Sequence, residues 1–430
     1  MLANLGESFP RTVTPQLIQQ EIVATQMLLR VKSDEDLRSL RMMQYSKKLE
    51  AMKLLKSLHH CTSFRNEINP LITCRMVQLS LMHGICEESA FCFASYGAIL
   101  CGHLNDFDGG YRFGRLGLTT MEKFPGNKEL PAVNVFVYGL LSNWVEPLQS
   151  SLPCLEHAVD IGLATGDTFN AMVGSVMYVG TALNCGKPLD QLLERCDLFS
   201  RQIMGLNSHP IYATSKAIRQ FMKNLLGRSN DPSKLIGDEV DGNDLLIDKA
   251  HNELSAQLLF YCMWLEYLFG HYDRAWETAN KIEDTSKLPA GRFPLVCNYI
   301  FYSSLTALAL ARRDGRRDYT NAIDSGIAQM EHWARSTEWN CQHKLELMRA
   351  EYAYLQGDYA QAMKDYENAA KFASKHSFVH EQAVALERWG IFYAETGRGH
   401  DAYGIFARAL ECYNKWGAFS KGEHVREMYL

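Results

Sequence analysis

Apolar residues recur every three or four positions along most of this chain, the spacing that places them on one face of an α-helix. Two early runs, 69–84 and 87–102, each stop at a glycine, a residue common just beyond the end of a helix. Short polar turns such as Gly166-Asp167 and Cys185-Gly186 separate later runs. No run alternates apolar and polar residues between hairpin turns, as a half-buried strand would. The pattern predicts an all-α chain in which short turns join successive helices.

One predicted helix carries a clear start signal, because Ser33 is followed by the acidic residues Asp34, Glu35 and Asp36. A serine cap and first-turn acids both stabilise a helix N-terminus. Besides the two runs above, the predicted helices cover 14–31, 33–59, 128–144, 152–164, 167–184, 189–204, 248–270, 293–311 and 319–336.

A helix–turn–helix pattern occurs twice after these helices. The turns lie at Gly357 and Gly397, forty residues apart, against about thirty-four in a standard tetratricopeptide repeat. At offsets of five, nine and twelve, the first turn is followed by Ala362, Tyr366 and Ala369, and the second by Ala402, Phe406 and Ala409. A small–aromatic–small face lets a neighbouring helix approach closely. We therefore predict a tetratricopeptide-like helical-hairpin solenoid.

Weaker copies of the pattern follow Gly270 and Asn105. After Asn105 the three positions are all glycine, at 110, 114 and 117. Glycine in a helix costs roughly 1 kcal/mol relative to alanine. These glycines therefore predict a second helix packed almost onto their backbone.

The segment 227–243 is the clearest interruption, because it is rich in Gly, Asp, Asn and Ser. We expect it to be a loop or linker between an N-terminal repeat half, 1–226, and a C-terminal half, 244–430. The clearest repeat units are predicted at 343–376 and 383–416.

Charge and cysteine content exclude several classes of function. A formal net charge of −5 offers no basic surface for nucleic acid. The twelve cysteines form no CxxC pair, which favours free thiols in a reducing compartment, and we expect a cytoplasmic protein. Residues 293–311 are uncharged, but serine, threonine and asparagine interrupt them, so a buried solenoid helix is favoured over a membrane span.

The search for chemistry identifies no catalytic, cofactor-binding or metal-binding residues. The glycine-lysine step Gly186-Lys187 precedes Pro188 and does not form a phosphate-binding loop. Pairs of possible metal ligands lack a matching second pair, so structural roles are favoured for all of them. The sets considered are Cys101 with His103, Cys341 with His343, and His59-His60-Cys61.

If the solenoid binds a segment in its concave groove, the first helix of each hairpin should supply the contacts. The tetratricopeptide pattern places five residues there: Lys344, Glu351, Tyr354, Glu387 and Glu395. A solvated helix face is the alternative explanation for the same residues.

Several stretches carry a more specific likeness, among them 88–102, 110–118, 164–171, 259–275 and 357–373. With them, the chain resembles the helical, tetratricopeptide-like region of very large signalling proteins. Those proteins carry a protein-kinase-like domain and an AAA-type ATPase domain upstream, and GAF and histidine-kinase domains downstream. The likeness extends over essentially the whole chain and implies that catalytic parts lie in other domains.

The leading hypothesis is therefore a non-catalytic scaffold that mediates protein association and couples domains or subunits of a kinase/ATPase assembly. AAA-type ATPase or histidine-kinase modules are the expected partners. A regulatory solenoid that senses a small molecule or peptide is the alternative. An enzyme built on a Cys–His or carboxylate pair is a third possibility.

Overall fold

A computed structural model describes residues 2–10, 12–62, 68–126, 128–202, 210–241, 252–282, 293–315 and 318–430. These residues form α-helices and short turns, and they contain no β-strand beyond one isolated bridge between Met42 and Ile85. The all-α prediction is confirmed.

Contacts divide the chain into two compact units, Met1–Val145 with Pro153–Gly174, and Glu146–Leu152 with Ser175–Leu430. The first helices are α1 (Pro15–Arg30), α2 (Asp34–Arg38), α3 (Ser46–Cys61), α4 (Asn69–His83), α5 (Glu87–Leu104), α6 (Phe107–Met121), α7 (Leu130–Phe136), α8 (Leu152–Thr165) and α9 (Thr168–Asn184). The later helices are α10 (Leu189–Gln202), α11 (Pro210–Leu225), α12 (Asn252–Leu268), α13 (Tyr272–Lys281), α14 (Phe293–Asp314), α15 (Thr320–Ser336), α16 (Glu338–Gln356), α17 (Tyr359–Lys375), α18 (Val379–Glu395), α19 (Gly399–Trp416) and α20 (Phe419–Tyr429).

This division does not coincide with the predicted one at 227–243. The described part of that segment, 227–241, belongs to the second unit and packs onto α11. Asn224 Nδ2 donates to the Pro232 carbonyl at 3.2 Å, Arg219 pairs with Glu239 at 3.0 Å, and Val240 is buried. Residues 242 and 243 lie outside the described part of the chain.

The first unit is built around α5, most of which is buried. Helix α6 packs against it through the predicted glycines. A Cβ added at Gly97 of α5 would lie 2.5 Å from the Gly110 carbonyl oxygen, and one at Gly117 would lie 2.8 Å from the Ala90 carbonyl oxygen. Real Cβ atoms do not approach oxygen so closely, so the two backbones touch as predicted.

Two predicted helices are divided in the structure. The helix expected over 33–59 consists of α2 and α3, because the intervening chain pairs with the turn before α5. Met43 N donates to Ile85 O, and Ile85 N donates to Arg41 O, both at 2.8 Å. The helix expected over 128–144 is α7 followed by a π-helical turn, Val137–Leu141, and a 3-10 turn, Ser142–Trp144.

The second unit contains the predicted repeats as the hairpins α16–α17 and α18–α19. The turn glycines adopt the left-handed conformation, with φ of 80° at Gly357 and 83° at Gly397. All six small or aromatic repeat positions, Ala362, Tyr366, Ala369, Ala402, Phe406 and Ala409, are buried. Both hairpins therefore turn at Gly357 and Gly397 and bury these six positions.

The apolar helix weighed as a membrane span is α14. Its stretch Pro294–Asp314 is long and apolar enough to cross a membrane by length and composition, and it is alone in this among the described residues. The most apolar part is 78% buried inside the structure, where α14 packs against α12, α13, α15 and α16. Such burial is the property of a core helix in a helical array.

Candidate functional site

The five predicted groove residues lie on the first helices of the two repeats, with Lys344, Glu351 and Tyr354 on α16 and Glu387 and Glu395 on α18. Their environments differ sharply. Lys344, Glu351 and Glu387 are 4%, 1% and 8% exposed, whereas the Glu395 side chain is about half exposed.

Glu351 lies at the centre of one buried charge cluster. Arg388 of α18 donates two hydrogen bonds to its carboxylate, from Nε to Oε1 at 2.8 Å and from Nη2 to Oε2 at 3.0 Å. Arg312 donates to the same carboxylate at 2.6 Å, and the Tyr366 hydroxyl donates at 2.7 Å. Burial alone would raise the pKa of Glu351, but Arg388, Arg312 and these hydrogen bonds hold that pKa at about 2.

Glu381 forms a second buried cluster between the same two helices. Lys344 Nζ lies 2.6 Å and 2.5 Å from its two carboxylate oxygens, and His343 Nε2 also hydrogen-bonds to it. Burial raises the pKa of Glu381, but Lys344 and His343 together hold it well below the ordinary value. Burial likewise lowers the pKa of Lys344, and the Glu381 carboxylate reverses that effect. Lys344 and Glu381 therefore form a pair in which both side chains are charged.

Glu387 forms a third cluster, which joins α18 to α20. The Tyr413 hydroxyl and Lys421 Nζ each donate to its carboxylate at 2.6 Å. Lys421 is 1% exposed, and burial lowers its pKa despite the opposing effect of Glu387.

In all these clusters, an ion pair links the first helix of one hairpin to the first helix that follows that hairpin. Glu351 and Arg388 are 37 residues apart in sequence, as are Lys344 and Glu381. Together the pairs run from α14 through α16 and α18 to α20, and we call them the ion ladder. Its members are Arg312, Lys344, Glu351, Glu381, Glu387, Arg388 and Lys421.

The ion ladder is buried because other parts of the second unit cover it. Arg388 Nη1 donates to the Tyr272 hydroxyl of α13 at 2.8 Å. His380 Nε2 lies 3.5 Å from Glu381 Oε1, and the rings of Trp264 from α12 and Trp416 from α19 are centred 6.3 Å and 5.1 Å from the His380 ring. The C-terminal helix α20 also contacts α11, where Ser420 Oγ donates to the Asn224 carbonyl at 2.7 Å.

Lys344, Glu351 and Glu387 were predicted to contact a partner in a groove. In the structure they are buried and form internal ion pairs. A solvated face, the alternative, does not describe them either. Tyr354 and Glu395 keep some exposure, and the Tyr354 hydroxyl donates to Glu395 Oε2 at 2.6 Å. Opposite charges about 37 residues apart were the available signal for the ladder, but many charged residues share that separation by chance.

Cys341 and His343, considered above as possible metal ligands, lie beside this ladder on α16. Cys341 Sγ is 3.8 Å from Cys297 Sγ, and burial raises the pKa of the Cys341 thiol well above its ordinary value. Burial also lowers the pKa of His343 to about 4, so this imidazole is neutral near pH 7. A protonated thiol and a neutral, buried histidine are the opposite of an activated nucleophile with its base.

The described residues contain no group of three or more His, Cys, Asp or Glu side chains that could hold a metal ion. Among the candidate ligands, His59 Nε2 lies 3.2 Å from Ser95 Oγ, and Cys101 Sγ lies 3.9 Å from the Asp106 carbonyl. Both contacts are of the kind found in a packed helical interior.

An open groove of about 700 Å³ lies along α15, α16 and α17. Charged and polar side chains line it, including Asp324, Glu331, Arg349, Tyr352, Lys364 and Asp365. Arg349 bridges Glu331 at 2.8 Å and Glu346 at 3.7 Å. Four lining carboxylates face two lining cations, so the groove is net acidic.

Comparison with known proteins identifies a limited similarity. No protein-family profile matches the chain. A stretch of 170 residues, 38% of the chain, is 26% identical to the hybrid signal transduction histidine kinase G of Dictyostelium discoideum. The match spans only 5% of that relative's length.

Among solved structures, the chain aligns with the TPR domain of P58(IPK). The alignment covers 95% of this chain and 97% of that one at 11% identity, with a TM-score of 0.18. A score this low contributes nothing to the fold assignment, which depends on the helices and hairpins described above.

Proposed function

We propose that this chain is a non-catalytic helical-repeat scaffold. It mediates protein–protein association and couples domains or subunits of a kinase/ATPase signalling assembly in the cytoplasm. AAA-type ATPase and histidine-kinase modules of a phosphorelay are the proposed partners. The limited similarity to a signal transduction histidine kinase supports this setting.

The α15–α17 groove is the observation that carries the proposal. The ladder residues on the first helices of the two repeats are buried, so a partner would contact the surface grooves between neighbouring helices. The groove is large enough for several side chains and retains exposed charge at Lys364 and partly at Glu331. Because it is net acidic, we expect a partner segment with basic side chains.

Tyr354 and Glu395 are proposed as further contacts at the edge of the array. Of the five residues predicted as partner contacts from the sequence, these two have side chains that remain partly exposed. A partner that inserts a donor would compete for Glu395 with the Tyr354 hydroxyl. Glu395→Gln would weaken that contact, and in the ion ladder it would remove only the long pairing with Arg312, whose Nε lies 3.9 Å from Glu395 Oε2.

Affinity capture of the full chain from its native extract, followed by mass spectrometry, tests the proposal. We expect ATPase or histidine-kinase polypeptides to be recovered. Glu331→Lys should reduce their recovery by roughly tenfold, because it places a like charge opposite a basic partner. The matched control is Glu411→Lys, which makes the same charge change on an exposed position of α19 outside the groove.

Two results would contradict the proposal. One is recovery of no kinase or ATPase polypeptide by the wild-type chain. The other is equal loss of partners in the Glu331 and Glu411 variants, which would show that net charge rather than the groove governs the association.

A further inference from the structure

A second cavity, of about 380 Å³, lies between α17, α18 and α19. Its chemistry differs from that of the acidic groove. Lys371, Lys375 and Arg408 line it, with Glu367 as the one carboxylate in the lining. On α17, residues 367, 371, 374 and 375 share one helix face, so the charges converge on one opening.

Only part of this positive charge is neutralised within the chain. Lys371 pairs with Glu367 at 2.7 Å, but both side chains are well exposed, so the pair is weak. Lys375 Nζ lies 5.9 Å from the Phe372 ring centre. Arg408 is exposed and forms no ion pair within the described residues.

Trp389 adds an aromatic ring to the lining of this cavity. Its side chain is only 8% exposed and its indole Nε1 is buried away from solvent, so the ring is a fixed wall of the cavity. Ser374 and Gln382 add a hydroxyl and an amide to the lining, so the cavity holds three cations and two neutral groups able to donate hydrogen bonds.

We propose that this cavity between α17, α18 and α19, the α17–α19 pocket, binds a phosphoryl group. A phosphate carries up to two negative charges and several acceptor oxygens, which match a fork of arginine donors, two ammonium groups and neutral donors. The phosphoryl group is either free phosphate or part of a phosphorylated side chain. This site does not depend on the protein association proposed above.

Titration of the full chain, labelled with ¹⁵N at its tryptophan indoles, tests the site. Sodium phosphate is added at constant ionic strength, and the Trp389 indole signal is assigned with Trp389→Phe. We expect that signal to shift and saturate at millimolar phosphate. Arg408→Gln should weaken binding by roughly tenfold, because it removes one charge-assisted contact.

Lys415→Gln is the matched control, since it removes a positive charge from an exposed position on the same helix outside the pocket. Its binding should equal that of the wild-type chain. An unchanged Trp389 signal, or an equal loss in the Lys415 and Arg408 variants, would overturn the proposal.

A parallel titration distinguishes the two sources. N-acetyl-phosphoserine methylamide is compared with its unphosphorylated form and with inorganic phosphate. Tighter binding of the phosphoserine probe than of phosphate assigns a phosphorylated side chain, and equal binding assigns free phosphate. Binding of the unphosphorylated probe as strong as that of the phosphorylated one would contradict a phosphoryl site.

Discussion

Arg388 and Glu351 meet as a two-pronged ion pair between successive hairpins, with both bonds at 3.0 Å or less and both side chains almost fully buried. A buried pair of this kind costs desolvation on both sides and holds only while both partners remain. Arg312 and Tyr366 contact the same carboxylate. Glu351 therefore holds α14, α16, α17 and α18 in fixed positions relative to one another.

Arg388→Ala should strongly destabilise the second unit, because it leaves the Glu351 carboxylate buried with less compensation. We expect a loss of about 3–5 kcal/mol in the free energy of unfolding. Urea denaturation followed by tryptophan fluorescence measures it. The control, Arg426→Ala, removes an exposed partner of Glu423 and should cost no more than about 0.5 kcal/mol. Equal effects of the two substitutions would contradict a stabilising ladder.

Acid should destabilise the second unit through Glu351. Its pKa falls from an ordinary value of 4.5 to about 2 on folding. The stabilisation is therefore complete above the ordinary value and is lost as the pH falls from about 5 to about 2, by roughly 3 kcal/mol. Unfolding midpoints measured across this range should fall less steeply for Glu351→Gln. The same slope in both chains would exclude Glu351 as the titrating group.

Alanine at Gly97 should destabilise the first unit. Its Cβ would lie 2.5 Å from the Gly110 carbonyl oxygen, so α5 and α6 would have to separate. We expect a loss of about 1–3 kcal/mol. Gly404 is a helical glycine of α19 where a Cβ would meet nothing within 4 Å. Gly404→Ala should therefore raise stability by about 0.5–1 kcal/mol, and thermal denaturation of both variants should show shifts of opposite sign.

Thiol labelling should distinguish one cysteine from the others. Cys61 is the exposed one of the twelve. Burial raises the pKa of thiols such as Cys262, to about 12, so thiolate is scarce there at neutral pH. Reaction of the native chain with Ellman's reagent should show one fast equivalent, and Cys61→Ser should abolish that phase. Several fast equivalents would mean that the native chain opens more readily than its packing indicates.

The hairpins were predictable because their signals are local. Gly357 and Gly397 end helices in the left-handed conformation that glycine adopts without strain, and the residues that follow at offsets of five, nine and twelve lie on one helix face. The close contact of α5 with α6 was predictable for the same reason, since glycines at 110 and 117 are costly unless a helix packs there.

Helix interruptions were less predictable. The break between α2 and α3 depends on the pairing of Met43 with Ile85, a contact across about forty residues of sequence. Helix α11 was absent from the predicted helices although its own sequence is amphipathic, so the missed signal was available. The packing of 227–241 onto α11 is another non-local contact that polar composition did not reveal.

The amino-acid sequence by itself determined that this chain forms helices, where most of them turn, and which small residues allow close packing. These properties follow from backbone preferences and a 3.6-residue period within each segment. Only the tertiary structure decided that Lys344, Glu351 and Glu387 are buried partners rather than groove contacts. The free energy of a charged side chain depends on what covers it, and here that cover comes from helices far away in sequence.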